Sequence, residues 1–283
     1  MTDEIKVFGL FGFPLTHSVS PAMQNAALRS LKIPGIYLPF ERTVNHFLKL
    51  LRTRKKFVLD GFNLTVPYKE LILPYLDRLD RSAKLANAAN TIKRKGNQWI
   101  GYNTDIDGFN AGLKESKFRV RGKRAVILGA GGAARGVVAA LGIGGIREIG
   151  IYNRTKQRAL QLVNEFQVKF PKTQIRAIRT KNELKERLKT ADLLVNATSL
   201  GLKPSDPNPL PVPFPKNRLL VYDLIYGKRK TRLLAQAKRA GNRTVSGETM
   251  LLYQGVKALE IWTARKAPIA VMKKALYDAL KRI

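Results

Sequence analysis

The sequence predicts an α/β fold in two domains, and three observations lead there. Apolar runs of strand length alternate with amphipathic helical segments along most of the 283 residues. A glycine-rich loop, Gly129-Ala-Gly-Gly-Ala133, stands directly between a strand and a helix and marks a second, fresh α/β start. The length allows one large domain or two ordinary ones, and 45% hydrophobic residues supply a buried core.

Residues 7–13 read as a strand running into a Gly-Phe-Pro loop. Ser20 is the expected N-cap of a helix over 22–31, with Pro21 at its first position. A strand over 36–40 and a helix over 44–51 follow. The strand 61–66 is closed by Pro67, and a helix continues over 68–77. Beyond the midpoint, strands are expected over 124–128, 148–152, 174–178, 193–197 and 219–224, with helices over 136–141, 155–166 and 181–189. The proline-rich stretch 203–215 reads as a surface loop. Helices over 251–264 and 268–282 end the chain. These segments group as 1–105, 106–246 and a final helical section, 247–283.

Composition narrows the function classes. With no cysteine, a disulfide scaffold, a thiol nucleophile and a thiolate metal site are excluded. His17 and His46 are too few and too far apart for a zinc site, and no metal is expected. No apolar run approaches membrane-spanning length, and Met-Thr-Asp-Glu-Ile-Lys does not resemble a secretion signal, so a cytoplasmic protein is expected. The charge is unusual: 52 Lys and Arg stand against 20 Asp and Glu, a net +32. Residues 1–105 hold 16 basic and 8 acidic, 106–246 hold 29 and 9, and 247–283 hold 7 and 3. Such a surplus suits a polyanionic partner. Yet no zinc finger, RNA-recognition signature or basic heptad is present, so nucleic acid is expected to bind non-specifically if at all.

Gly129, Ala130, Gly131, Gly132 and Ala133 have the build of a dinucleotide fingerprint. The glycines permit a tight turn and close backbone approach, and the following helix offers its free N–H groups to pyrophosphate. An NAD site wants an acid at the end of the next strand, to hold the ribose 2′-hydroxyl. Here that position reads Asn153-Arg154-Thr155-Lys156-Gln157-Arg158. The acid is missing, and Arg154, Lys156 and Arg158 suit a 2′-phosphate, so NADP is the expected cofactor.

The N-terminal half carries polar residues that propensity does not explain. Ser18 and Ser20 follow a strand end. Asn63 and Thr65 share one face of a strand, since alternate residues do. Lys69 stands at a helix start, where a cation opposes the helix dipole. It is either a surface lysine or an acid–base group. Asn90-Thr91 and Asn103-Thr104-Asp105 end or follow apolar stretches. A lone aspartate in such a loop is commonly a turn or cap residue. Hydroxyls, amides, one lysine and one aspartate together suit a small polyhydroxylated acid.

At this point the motifs resemble a known family, the shikimate dehydrogenases. The matching segments are Gly12-Phe-Pro-Leu-Thr-His-Ser-Val-Ser-Pro21 with Asn25, Gly61-Phe-Asn-Leu-Thr-Val-Pro-Tyr-Lys69, Ala89-Asn-Thr91, Gly101-Tyr-Asn-Thr-Asp105, the glycine loop, Asn153-Arg-Thr155, Asn196-Ala-Thr-Ser-Leu-Gly201, Asp223-Leu-Ile-Tyr226 and Met250-Leu-Leu-Tyr-Gln254. They occur in the family's order and span nearly the whole chain.

The resemblance implies an N-terminal substrate-binding domain completed by the C-terminal helices, and a Rossmann NADP-binding domain. It also implies reversible NADPH-linked reduction of 3-dehydroshikimate to shikimate, in aromatic amino-acid biosynthesis. Lys69 would be the acid–base group, paired with Asp105. Ser18 and Ser20 would hold the substrate carboxylate with Tyr226 nearby, while Asn63, Thr65, Asn90, Asp105 and Gln254 would bind ring hydroxyls. The glycine loop would cradle pyrophosphate, Asn153 to Arg158 the adenosine phosphate, and Thr198, Leu224 and Gly247 the nicotinamide. His17 fits loop packing. A monomer or homodimer is expected.

Some positions depart from the family pattern. Asn87 and Ala264 stand where the family usually has glycine, and Gly227-Lys228 where it often has Asn-Pro. If the first position needs positive φ, asparagine is the least costly substitute. Two rivals stay open: a quinate/shikimate dehydrogenase preferring NAD, and a basic nucleic-acid-binding protein that keeps an enzyme fold.

Overall fold

The computed structural model describes residues 4–15, 18–53, 58–203, 205–215 and 219–282. The chain divides into two compact units, residues up to Gly108 together with Leu252 onward, and Phe109–Leu251. Relative to the boundaries expected from sequence, residues 106–108 go with the first unit and 247–251 with the second. His17 lies outside the described residues.

The first unit is a mixed six-stranded sheet. Its strands are β1 (Lys6–Gly12), β2 (Gly35–Glu41), β3 (Gly61–Leu64), β4 (Arg78–Leu79), β5 (Thr91–Lys95) and β6 (Gln98–Tyr102), in the order β2-β1-β3-β5-β6-β4. β1 runs parallel to β2 and β3, while β3–β5 and β5–β6 pair antiparallel. Phe8 and Phe11, three residues apart on β1, enter opposite faces. Phe11 meets Phe40, Phe47 and Phe62. Phe8 stacks on Trp262, whose Nε1 donates to the Ile92 carbonyl at 2.8 Å. Trp262 comes from α10 (Gly247–Thr263), and α11 (Ile269–Leu280) packs on α1 (Ser20–Ser30).

Several expected boundaries are corrected. Ser20 is not the N-cap: Val19 is, and the helix already includes Ser20, which moves Pro21 from the expected first position to the second, still within the first turn, where its missing N–H costs no helical bond. The expected helix over 68–77 splits. α3 (Tyr68–Leu71) stops, and a 3₁₀ turn (Leu73–Tyr75) takes over, because Pro74 has no N–H for an α-helical bond. The helices α2 (Val44–Arg52), α4 (Arg81–Ala86) and α5 (Asp105–Glu115) complete this stretch. Asp105, read as a loop residue, is the first residue of α5 and only 3% exposed.

The second unit is an all-parallel sheet of β7 (Arg124–Leu128), β8 (Glu148–Tyr152), β9 (Gln174–Ile178), β10 (Leu193–Asn196), β11 (Leu220–Asp223) and β12 (Arg243–Val245). The order is β12-β11-β10-β7-β8-β9, which reverses at β7, the doubly wound Rossmann arrangement. Its helices are α6 (Gly132–Ile143), α7 (Lys156–Lys169), α8 (Lys181–Thr190) and α9 (Arg232–Arg239). α6 starts four residues before the expected 136, so the glycine loop runs straight into its first turn.

Candidate active site and nucleotide loop

Register assembles the polar cluster of the first unit. β3 pairs with β5 so that Asn63 faces Thr91, and β5 pairs with β6 so that Thr91 faces Tyr102. The residues just outside these pairs, Asn90 before β5 and Asn103, Thr104 and Asp105 after β6, therefore meet at one end of the sheet. Lys69 arrives from α3, whose Lys69 carbonyl accepts from the Ala89 N–H at 2.8 Å.

The result is a continuous network. Lys69 Nζ donates to Asp105 Oδ2 at 2.6 Å, with the two side chains 13% and 5% exposed. Asn90 Nδ2 donates to Asp105 Oδ1 at 2.8 Å and to Thr104 Oγ1 at 3.0 Å, while Asn90 Oδ1 accepts from the Thr104 backbone N–H at 2.8 Å. A backbone N–H can only donate, so the Asn90 amide is fixed in orientation. Asn63 Nδ2 donates to the Asn90 carbonyl and to Thr91 Oγ1, and its Oδ1 accepts from the Tyr37 hydroxyl at 2.9 Å.

Four expected residues, Asn63, Lys69, Asn90 and Asp105, thus share one network. Thr91, Thr104 and Tyr37 belong to it as well. The paired Asn-Thr dipeptides were a sequence signal for the two threonines, but nothing pointed to Tyr37.

Ser18, Ser20 and Thr65 lie outside that network. Ser18 Oγ is buried with no hydrogen-bond partner among the described residues. Ser20 is buried at the start of α1. Thr65 follows the end of β3, and its N–H donates to the Phe11 carbonyl at 2.9 Å. Gln254 lies on α10 in the first unit, half-buried. Tyr226 belongs to the second unit, and burial pushes its phenol up.

In the second unit the loops converge on the C-terminal ends of the strands. Gly129 has φ +108°, and a Cβ there would come within 2.9 Å of the Ala197 carbonyl oxygen and 3.1 Å of the Thr198 methyl. Gly131 caps α6, and a Cβ on it would meet nothing within 4 Å, which leaves room for a pyrophosphate against backbone N–H groups. Asn196 fixes the next loop: Nδ2 donates to Asp223 Oδ1 at 2.8 Å, and Oδ1 accepts from Thr198 Oγ1 at 2.7 Å. The Leu224 N–H donates to the Asn196 carbonyl, and Gly247 opens α10 with its N–H on the Ile225 carbonyl. After β8, Asn153 Nδ2 donates to the Thr155 carbonyl, and Thr155 caps α7. Arg154, Lys156 and Arg158 are exposed, and the first turn of α7 holds no acid. Cations at a helix N-terminus are unfavourable unless an anion joins them. These residues fit a phosphorylated dinucleotide.

A glycine loop at the carboxyl edge of a doubly wound sheet, with basic residues in place of the acid after its second strand, defines a nucleotide-dependent α/β dehydrogenase. Comparison with known proteins narrows the class. Residues 10–92 match the shikimate dehydrogenase substrate binding domain, 112–202 the shikimate/quinate 5-dehydrogenase model, and 247–277 the shikimate 5′-dehydrogenase C-terminal domain. The chain is 40% identical to shikimate dehydrogenase (NADP(+)) of Geobacter metallireducens, over 100% of this chain and 99% of that one. It is 41% identical to that of Methanopyrus kandleri, over 98% and 97%. The structure of shikimate 5-dehydrogenase from Thermus thermophilus, in complex with NADP(H) and shikimate, superposes with a TM-score of 0.82 at 35% identity, covering 97% of this chain and 100% of that one. The chain belongs to the shikimate dehydrogenase family.

Proposed function

We propose that the chain catalyses the reversible NADP-linked reduction of 3-dehydroshikimate to shikimate in aromatic amino-acid biosynthesis, with Lys69 and Asp105 as its acid–base pair. The 2.6 Å contact of these side chains inside a buried amide and hydroxyl network carries the reading. Bound NADPH supplies the hydride. As charge develops on the carbonyl oxygen, the Lys69 ammonium stabilises it and gives up a proton. Asp105 orients Lys69 and accepts from a ring hydroxyl.

The network sharpens the other roles. Asn63 spends its two amide hydrogens within the protein and one lone pair of Oδ1 on Tyr37, so it offers substrate the second lone pair as an acceptor. Asn90 spends both amide hydrogens on Thr104 and Asp105, and acts on substrate through Asp105. The Ser18 hydroxyl, without a partner among the described residues, is a donor suited to a carboxylate; Ser20 and Tyr226 are assigned to the same group, and Thr65 and Gln254 to ring hydroxyls. The glycine loop takes the pyrophosphate, Asn153 to Arg158 the 2′-phosphate, and Thr198, Leu224 and Gly247 the nicotinamide. Cytoplasmic residence, as a monomer or homodimer, completes the reading. Among the described residues no helix is long and apolar enough to cross a membrane.

One assay tests the reading. Shikimate and quinate are each oxidised with NADP+ and with NAD+, following the reduced nicotinamide by absorbance. Shikimate with NADP+ is expected to give the highest kcat/KM, at least about tenfold above NAD+, because the 2′-phosphate recovers charge-assisted hydrogen bonds. Preference for NAD+ or for quinate overturns that assignment. Lys69→Ala is expected to lower turnover at least about 10²-fold, and near-parent turnover rejects its role.

A further inference from the structure

We propose that the second unit binds single-stranded nucleic acid on the rim of its sheet opposite the glycine loop. Gly129 and Asn153 follow the C-terminal ends of β7 and β8. Arg121, Ile146 and Thr173 precede the N-terminal ends of β7, β8 and β9 and line a cavity of about 540 Å³ at that opposite rim. A five-residue strand separates the two rims by roughly 17 Å.

The cavity has the chemistry of a strand-binding surface. Arg121 comes from the turn before β7, Lys169 from the last turn of α7, and Lys172 from the turn into β9; the half-buried ring of Phe170 lies among the lining residues. Among the described residues no carboxylate lines it. Asp192 and Glu148 are engaged outside the cavity, whereas Glu165 pairs with the lining Lys169, so Arg121 and Lys172 are the cations offered to phosphate. Glu165 takes Arg135 at 2.7 Å and Lys169 at 3.4 Å, Asp192 takes Lys123 at 2.9 Å, and Glu148 takes Arg187 and Arg124. Cations that follow a phosphate backbone beside an aromatic face that stacks a base are how proteins hold single strands without sequence preference. A duplex keeps its bases stacked inward and cannot use the ring. The field around the cavity favours an anion, since residues 106–246 hold 29 basic side chains against 9 acidic.

The test is fluorescence anisotropy of a 5′-fluorescein single-stranded RNA of about twelve nucleotides, titrated with the full chain. Two phosphate contacts on a single strand, from Arg121 and Lys172, predict saturable binding that weakens about sevenfold between 50 and 200 mM salt. The double variant Arg121→Gln/Lys172→Gln changes two exposed side chains. It is expected to flatten the salt slope by about 1.4 while leaving dehydrogenase turnover unchanged. Phe170→Leu is expected to weaken binding at least about fivefold through lost stacking. Saturating NADP+ leaves the RNA bound, since the two sites occupy opposite rims. The proposal is overturned by absence of binding at 50 mM salt, by displacement with NADP+, by a double variant that binds like the parent, or by a duplex that binds as tightly as the strand.

Discussion

The Asn90 amide nitrogen donates to Asp105 Oδ1 at 2.8 Å, on the carboxylate oxygen that Lys69 does not use. The carboxylate is therefore gripped from both sides, and its plane is set by a residue whose own orientation the Thr104 N–H dictates. Asn90→Ala removes one grip and leaves Lys69 in place. The expected result is a fall in kcat of about 10- to 100-fold, since a misplacement near 1 Å costs up to about 10². KM for shikimate should change much less. A variant that raises KM at unchanged kcat would instead make Asn90 a direct substrate ligand.

What the sequence disclosed depended on the range over which its signals act. The ends of β7 and β8 are legible in the sequence because inner strands of a parallel sheet are buried on both faces and appear as apolar runs. Those of the edge strand β9 are legible from its alternation of exposed Gln174 and Arg176 with buried Ile175 and Ile178. The β5–β6 hairpin is not legible in the sequence. Lys93, Arg94 and Lys95 occupy its first strand, and only part of that strand is buried, so no apolar run announces it. That hairpin is what carries Asn90 to Asp105. The contact of Lys69 with Asp105 is a product of register between strands, which periodicity within one segment does not encode. Residue types could nominate both groups, and only pairing could bring them together.

Asn25 satisfies both backbone polar groups of Tyr37: Oδ1 accepts from the N–H at 2.8 Å, and Nδ2 donates to the carbonyl at 2.9 Å. β2 is an edge strand, and Tyr37 directs these groups away from β1. Pro39, two residues on, has no N–H to offer on that side. Together they close the edge to strand addition. Asn25→Ala is expected to lower the unfolding free energy by about 1–3 kcal/mol for two lost hydrogen bonds, read by urea denaturation. A change below about 0.5 kcal/mol would mean that water replaces the amide at no cost.

Ala264 and Lys117 hold left-handed backbone, at φ 56° and 55°, just past the ends of α10 and α5. Both are exposed, so neither side chain returns packing energy for that strain. Asn87, at φ 44° beyond α4, is the residue type that tolerates this conformation best after glycine. Relief of about 1–2 kcal/mol, reduced by the extra freedom glycine gains in the unfolded chain, predicts a gain of roughly 0.5–1 kcal/mol for Ala264→Gly and for Lys117→Gly. Asn87→Gly should change little. Chemical denaturation of the three variants checks the ranking, and equal effects at all three positions would show that left-handed strain is not the cause.

Asp223 is buried at the end of β11, where desolvation raises its carboxyl above the usual range despite bonds from Thr231, Ile225 and Asn196. The folded protein therefore holds this proton more tightly than the unfolded chain does. Between the unfolded value near 3.8 and the higher folded one, the native state binds more protons, so this group's contribution makes stability fall as pH rises. Above the folded value the cost is complete and constant. Asp223→Asn keeps the acceptor that Asn196 and Ile225 use, and Thr231 Oγ1 can accept from the new amide in place of donating. The variant cannot ionise. Its stability relative to the parent should therefore rise as pH increases from about 4, then level off once the parent carboxyl is fully ionised. Urea denaturation of both proteins at about pH 4, 5, 6 and 7 measures this difference, in which the other titrating groups cancel. Parallel curves would mean that the three hydrogen bonds offset the burial of the charge in full.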